Sequence, residues 1–425
     1  MRWKVGRHDL KNGIRVYYLH DCGGTIHICN LGFGVGSVHD PEHCQGLAHF
    51  TEHVGFRGRA GSSGDPVYDM IDLYYGGMEH HEIFTTYAGT QYGGPSLYYR
   101  RDMDEVMPVL VNVLKDKYVD RLGLSIEKTV INNEYRQMDL DNVDSQLEDL
   151  FLKTMYDTNP VRRGILGDIN QLKLIKPATV KAFMEHNYGS ENMFVVVFGL
   201  RREEAISFAA KYLADWPYQG QSAPLDVGSF DNVPKLLNPR ISEIRKVGLA
   251  QHYVKVGFAT ECYKTGDDAA LDLIMRVVER RLYDVLREKS SRLTEGCYHN
   301  PCFTDRSLTH GTIGAWFATA SLNFARYGSD AIVKEFDRLR EELIPDVEFE
   351  KKQNSEKKLF WDYFRDGSEE LAKVVFEAAI NGDSGLDHLH SYADRLDSLT
   401  PKMVRTIANK YFGFDRFVSV MISPA

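Results

Sequence analysis

Hydrophobic and polar positions along the chain repeat one arrangement, a helix followed by an apolar strand. The predicted helices cover 177–188 and 401–412, and the apolar strands that follow them cover 193–197 and 417–421. Pro177 and Pro401 stand where these helices would begin, the position at which a missing N–H costs least. Because the two copies lie about 220 residues apart, they indicate two homologous halves.

Strands at the front of each half fit the same repeat. The runs 25–33 and 251–258 are both apolar enough to form buried strands. Since strands occur in adjacent runs with helices grouped around them, the pattern predicts an α+β fold. Each half is then an α/β roll, a mostly antiparallel sheet flanked by helices.

A stretch without periodicity separates the halves. From residue 217 to residue 240 the chain is rich in Gly, Pro and Asp, as linkers are. We therefore predict a first half over 1–216, a linker over 217–245 and a second half over 246–425. The 425 residues exceed the size at which one hydrophobic core usually stops growing, which agrees with two domains.

Composition narrows the classes of function and location. The net charge of −9 argues against a nucleic-acid partner, because nucleic acid requires a basic surface. No run of 18 apolar residues occurs, and the first ten residues lack the apolar core of a signal peptide. We therefore expect a cytoplasmic protein without a membrane partner. Six scattered cysteines are too few for a disulfide framework in a chain of this length.

The run 46–58 reads as an amphipathic helix with candidate metal ligands on its polar face. Its apolar stripe consists of Leu47, Phe50 and Val54. At about 100° per residue, His49, Glu52 and His53 share the opposite face. Two imidazoles one turn apart can bind one Zn²⁺, and Glu52 is then free to take a proton from water. The alternative is a solvated helix face that carries two histidines and a glutamate by chance.

A catalytic zinc normally has three protein ligands, so a third is required. A helix predicted over 124–137 offers Glu127 and Glu134, which are two turns apart and share a face.

The order His-x-x-Glu-His and the second helix together resemble the inverzincins, the zinc metallopeptidases related to pitrilysin, insulin-degrading enzyme and the mitochondrial processing peptidase. Glu134 follows His53 by about 80 residues, close to the spacing of that family. The resemblance implies that His49, His53 and Glu134 bind Zn²⁺ and that Glu127 orients a histidine or the water. The alternative for Glu127 is an ordinary exposed carboxylate on a helix.

The resemblance also implies an activity and an architecture. We expect a zinc-dependent endopeptidase that hydrolyses peptides or small unfolded polypeptides, with Glu52 as the general base. The two halves would form half of a clamshell, in which the first half is catalytic and the second shapes the chamber and binds substrate. In family members of this length a homodimer, or a heterodimer with a related subunit, usually closes the chamber.

Substrate contacts are implied by the resemblance alone. Residues 83–92 fit the strand beside the zinc that pairs with an extended peptide, which makes Thr85, Thr86 and Tyr87 candidate contacts. His80 and His81 precede this strand. They suit either a further metal or pH-sensing element or an exposed polar loop.

An arginine and a tyrosine seven residues apart grip the peptide in the family, and they stabilise the oxyanion. Here Arg287 is in place, but position 294 is a threonine and the nearest tyrosine is Tyr298. Either a longer loop lets Tyr298 reach the site or a partner chain supplies this group. The alternative for Arg287 is an ion pair on the helix surface with Glu288 or Asp284.

Two alternatives to a self-sufficient peptidase stay open. The chain can be a peptide-binding or scaffold subunit, as are relatives that lack the zinc motif. It can also be a catalytic subunit that is active only with a related partner chain, which the displaced tyrosine favours.

Overall fold

The computed structural model describes residues 5–19, 26–57, 66–77, 82–116, 119, 121–217, 232–263, 265–288, 302–364 and 369–425. By their contacts these residues form two compact units. The first comprises Met1–Tyr135, Arg163–Leu225 and Trp361–His390, and the second comprises Arg136–Arg162, Asp226–Phe360 and Ser391–Ala425.

Eleven strands lie in the described part of the chain. They are β1 (Val5–Asp9), β2 (Arg15–Leu19), β3 (Ile28–Phe33), β4 (Phe84–Thr85), β5 (Thr90–Tyr92), β6 (Met193–Phe198), β7 (Arg240–Lys246), β8 (His252–Thr260), β9 (Cys302–Arg306), β10 (Gly311–Thr319) and β11 (Phe417–Pro424).

Fifteen α-helices are described. They are α1 (Leu47–Arg57), α2 (Pro66–Met70), α3 (Arg100–Asp116), α4 (Arg121–Asp141), α5 (Val143–Met155), α6 (Ile169–Leu172), α7 (Pro177–Asn187), α8 (Arg202–Leu213), α9 (Asp268–Tyr283), α10 (Leu322–Glu341), α11 (Asp346–Phe364), α12 (Glu369–Ile380), α13 (Asp387–His390), α14 (Tyr392–Ser398) and α15 (Pro401–Tyr411). Short π-helical segments cover Ile71–Tyr75 and Asp284–Glu288, and 3-10 turns cover Ser37–His39 and Pro160–Arg163.

The first unit is built on a six-stranded sheet in the order β1-β2-β6-β3-β5-β4. In the described part of this sheet only β2 and β6 pair in parallel. The two central strands, β3 and β6, are buried along their whole length because nearly all of their residues are apolar. They are antiparallel, with Ile28 opposite Phe198 and Phe33 opposite Met193.

The second unit is built on a five-stranded sheet in the order β7-β11-β8-β10-β9. Again one pair, β7 and β11, is parallel and the others are antiparallel. The predicted α+β class with mostly antiparallel sheets is thereby confirmed. Both predicted helix-then-strand repeats also form, as α7 before β6 and as α15 before β11.

Each sheet is covered by a helix that is distant from it in the sequence. In the first unit α12 packs on β3 and β6, where Phe376 lies 5.5 Å from the rings of both Phe84 and Phe194. In the second unit α5 packs on β8 and β11. The compact units therefore do not follow the sequence repeat, and the boundaries 1–216, 217–245 and 246–425 stay a prediction about that repeat.

The strand predicted over 83–92 is wrong in one respect, because it is a hairpin. A tight turn separates β4 from β5, and the Thr86 N–H donates to the carbonyl of Gly89 at 2.7 Å. The Thr86 hydroxyl donates to the same carbonyl at 3.0 Å. The turn leaves β4 at the edge of the first sheet. Among the described residues, no helix is long and apolar enough to cross a membrane.

Candidate metal centre

Helix α1 forms as its periodicity predicts and buries its apolar stripe. Leu47, Phe50 and Val54 are all nearly inaccessible to solvent. Because the apolar face is anchored in the core, the polar face with His49, Glu52 and His53 points into the site. The predicted separation of apolar and polar faces is thereby confirmed.

The N-terminus of α1 is held by a carboxylate seven residues before the helix. Asp40 is buried and accepts the N–H groups of Gly46 at 2.6 Å and Ala48 at 2.7 Å. Arg163 donates to the Asp40 carbonyl at 3.2 Å. Asp40 thus satisfies N–H groups that a helix start leaves without partners, and it fixes the turn that carries His49.

Helix α4 presents both predicted glutamates on one side. Leu124 and Ile131 are buried in the core of the first unit and hold that side of the helix inward. Glu127 is only 4% exposed, so the alternative of an exposed carboxylate is wrong. Glu134, two turns further on, is partly exposed.

Three side chains from α1 and α4 converge on one point. The Nε2 atoms of His49 and His53 are 3.3 Å apart. A carboxylate oxygen of Glu134 lies 3.7 Å from Nε2 of His49, and the other lies 3.5 Å from Nε2 of His53. One ligand atom from each residue falls within 4.8 Å of the other two. Glu127 holds the far side of the His53 ring, with its Oε2 3.2 Å from Nδ1.

Glu52 lies on the same helix face, and a hydroxyl group orients it. Thr85, in the edge strand β4, donates to Oε2 of Glu52 at 2.8 Å, and both residues are buried. Burial raises the pKa of Glu52 to about 7, which outweighs the opposite effects of His53 and Thr85. A carboxylate with a pKa near the working pH is suited to accept and return a proton.

The electrostatics of the cluster favour a bound cation. Burial and the neighbouring His53 lower the pKa of His49 to about 4, so its ring is neutral and can be a ligand. Burial also acts to lower the pKa of His53, but the neighbouring carboxylates of Glu127 and Glu134 outweigh it and raise this pKa to about 10. One positive charge therefore collects among the carboxylates of Glu52, Glu127 and Glu134.

The donor set fits zinc. Two imidazole nitrogens and one carboxylate are ligands typical of a catalytic zinc with an open position. Oε2 of Glu134 is shielded from solvent, and no donor among the described residues completes a hydrogen bond to it. The Glu127 carboxylate contacts Nδ1 of His53, and a contact of this kind commonly fixes the tautomer of a histidine that binds metal.

The remaining predicted residues have different surroundings. Thr86 forms the hairpin turn, and the carbonyl of Tyr87 accepts the N–H of Val38 at 3.1 Å, so their roles toward substrate stay predictions. Arg287 lies in the π-helical segment of the second unit with its guanidinium 5.4 Å from the Tyr283 ring centre, and its role also stays a prediction. Tyr298, His80 and His81 lie outside the described residues.

Two contributions were missed by reasoning from the sequence. Thr85 was assigned to substrate binding, whereas its hydroxyl contacts Glu52. The capping contacts of Asp40 were not predicted, because a capping residue normally stands directly before its helix. The glycine at position 36 is itself a sequence signal of a close approach. An added Cβ there would lie 2.3 Å from the Thr86 carbonyl oxygen. Only glycine permits the backbone before α1 to approach the hairpin this closely.

The chain matches two models of one known family. Residues 15–169 match the family described as insulinase, peptidase family M16. Residues 175–356 match the domain described as the peptidase M16 inactive domain. The first match includes α1 and all three converging side chains, and the two matches together take in most of the chain.

Individual relatives are distant. An uncharacterized zinc protease of Bacillus subtilis, YmxG, is 23% identical over 73% of this chain and 74% of its own length. The beta subunit of the mitochondrial-processing peptidase of Saccharomyces cerevisiae is 26% identical over 42% of this chain, which is 38% of that protein. A protease from Helicobacter pylori has the same fold, with a TM-score of 0.86, 19% identity, and coverage of 99% of this chain and 100% of that one.

Proposed function

This chain belongs to peptidase family M16, and from that premise we propose that it is a zinc-dependent endopeptidase that hydrolyses peptides or small unfolded polypeptides. The observation that carries the proposal is the convergence of His49, His53 and Glu134 beside the buried Glu52. Relatives named as zinc proteases support the same class of activity.

His49, His53 and Glu134 would hold the metal. When bound, zinc supplies Lewis-acid chemistry that makes water a nucleophile near neutral pH. The protein's part is to fix the orientation of both imidazoles. Glu127 does this for His53 through Nδ1, and Asp40 does it for the turn that carries His49.

Glu52 is the group that moves protons. In its ionised form it takes a proton from the attacking water, and it then delivers that proton to the leaving amine. Thr85 donates a hydrogen bond that stabilises the ionised form and holds the carboxylate in one orientation. Burial keeps bulk water from competing for the same carboxylate.

The test replaces Glu52 by glutamine, which keeps the size of the side chain and removes the base. We expect Glu52→Gln to bind one zinc per chain, measured by elemental analysis, and to lose peptide cleavage by about 1,000-fold or more. Glu203→Gln, on an exposed helical turn, is the matched control and should cleave at the wild-type rate. Wild-type turnover by Glu52→Gln would contradict the assignment of the base, and a wild-type chain without zinc would contradict the metal site.

We also propose that the chain works together with a related chain or a second copy of itself. The relative named as a beta subunit supports this. Peptide cleavage by the purified chain is measured over a range of chain concentrations. A specific activity that rises with concentration indicates that a second copy of the chain is required. The cytoplasmic location stays a prediction, and fractionation of cells that express the full gene tests it.

A further inference from the structure

The outer edge of β7 is an exposed sheet edge that carries apolar side chains. Among the described residues β7 pairs only with β11, so its other edge has no strand beside it. Ile241 is 73% exposed and Val247, just beyond the strand, is 85% exposed. Ile244, between them, is also exposed. Exposed apolar edge strands are uncommon, because they are templates for pairing with another chain.

In the first sheet a strand covers the equivalent edge. There β2 pairs in parallel with β6, as β7 does with β11. The outer edge of β2 is covered along its whole length by the antiparallel strand β1. Among the described residues the second sheet has no counterpart of β1, which leaves the equivalent edge open to an antiparallel strand from elsewhere.

The pairing with β11 determines which backbone groups face outward. The Lys246 carbonyl accepts the N–H of Ala425 at 3.0 Å, so the even-numbered residues of β7 bond to β11. The N–H and C=O groups of a strand residue point to the same edge and alternate along the strand. Ile241, Glu243 and Arg245 therefore direct their backbone groups to the open edge.

We propose that this edge pairs with β7 of a second copy of the chain, antiparallel and centred on Ile244. Residues whose backbone groups face the open edge must lie opposite each other in the pair. The two-fold axis of a symmetric pair therefore passes through residue 242, 243, 244 or 245, which we call its centre. Centres at 243 and 245 place like charges together, and a centre at 242 places Ile241 opposite Glu243. Only the centre at Ile244 pairs Glu243 with Arg245, and it does so twice.

The same register also pairs the apolar groups. Ile244 meets its own copy on the axis, and Ile241 lies opposite Val247 on both sides. Glu243 and Arg245 are both exposed in the single chain, and from the described residues Glu243 accepts only a long hydrogen bond of 3.4 Å, donated by Ser423. Both charges are thus available for the pairs. The proposal rests on the second sheet alone and does not depend on the metal centre.

Charge reversal tests the register. Sedimentation velocity of the full zinc-loaded chain should show a dimer that forms with a Kd of about 1–100 µM. Glu243→Arg and Arg245→Glu should each weaken it by about tenfold or more, because each places like charges opposite twice. The double variant should restore the dimer, and an equimolar mixture of the two single variants should form a heterodimer. Glu350→Arg, the same charge change on an exposed helix position, is the matched control.

Each other outcome overturns the proposal. A chain that stays monomeric throughout this range has no such partner. A dimer that neither single variant weakens, or that the double variant does not restore, uses another surface or register. Hydrogen exchange adds a second measurement, since the amides of Ile241, Glu243 and Arg245 should gain protection as concentration rises. Protection already present in the monomer would mean that another segment of the same chain covers the edge.

Discussion

The hydroxyl of Thr85 donates to the carboxylate of Glu52 across 2.8 Å, in a contact that is buried on both sides. Oγ1 of Thr90 lies 3.3 Å from that hydroxyl and donates to the Val35 carbonyl at 2.8 Å. Each hydroxyl has one proton and donates it elsewhere, so Thr90 packs against the back of Thr85 without a hydrogen bond between the two side chains. The two hairpin strands thus connect the edge of the first sheet directly to the chemistry of α1.

Thr85→Val keeps the shape of the side chain and removes the donor. We expect unchanged zinc content and a kcat about 10- to 100-fold lower, since a hydrogen bond to a charged group contributes about 1.5–3 kcal/mol. Thr85 acts to lower the pKa of Glu52, so the acidic limb of the kcat profile should move to higher pH. Thr85→Ser should recover both properties. An unshifted pH profile would show that Thr85 has only a packing role.

Glu127→Gln tests the support of His53. The carboxylate lies 3.2 Å from Nδ1, and its loss removes the charge that favours a donor N–H at that nitrogen. We expect zinc to bind about 10- to 100-fold more weakly, measured by competition with a chelator. Glu203→Gln should retain wild-type affinity. Equal affinities in both variants would make Glu127 a buried carboxylate without a part in metal binding.

The metal centre was predictable where its residues are close in sequence. His49, Glu52 and His53 follow from one helical turn and from the apolar stripe that orients it. Glu134 came from resemblance, because nothing local shows which distant helix meets α1. The contacts of Thr85 and Asp40 were not predictable, since each joins groups whose proximity depends on packing of the whole first unit.

The fold, too, was predictable only where it depends on local sequence. The helices α7 and α15 and the strands after them follow from local periodicity and helix-starting prolines. The packing of α12 on the first sheet and of α5 on the second depends on long-range burial that a repeat in the sequence does not record. The hairpin of β4 and β5 was missed because Thr, Phe and Tyr favour strands on both sides of a turn whose signal is only Ala88 and Gly89.

His39 should make the protein less stable in acid. Its Nδ1 accepts the N–H of Gly36 at 3.0 Å, and burial lowers its pKa to about 4. The unfolded chain then binds more protons below the usual pKa of about 6.5, so stability falls as pH drops from about 6.5 to 4. The loss is roughly 3 kcal/mol when complete. Urea unfolding of metal-free His39→Gln should show a flatter dependence over this window. A dependence as steep as that of the wild type would assign the acid sensitivity to other groups.

Asp40→Ala should both destabilise the first unit and weaken zinc binding. The change leaves the buried N–H groups of Gly46 and Ala48 without an acceptor, at a cost of about 1–3 kcal/mol each. Zinc affinity should fall with it, because His49 lies in the turn that these groups begin. Asp40→Asn keeps an acceptor and should lose less of both. Thr400→Ala removes the cap of α15 in the second unit and should cost about 1 kcal/mol with zinc affinity unchanged. If Asp40→Ala lowered stability but bound zinc as tightly as Thr400→Ala, Asp40 would stabilise the fold without positioning the ligands.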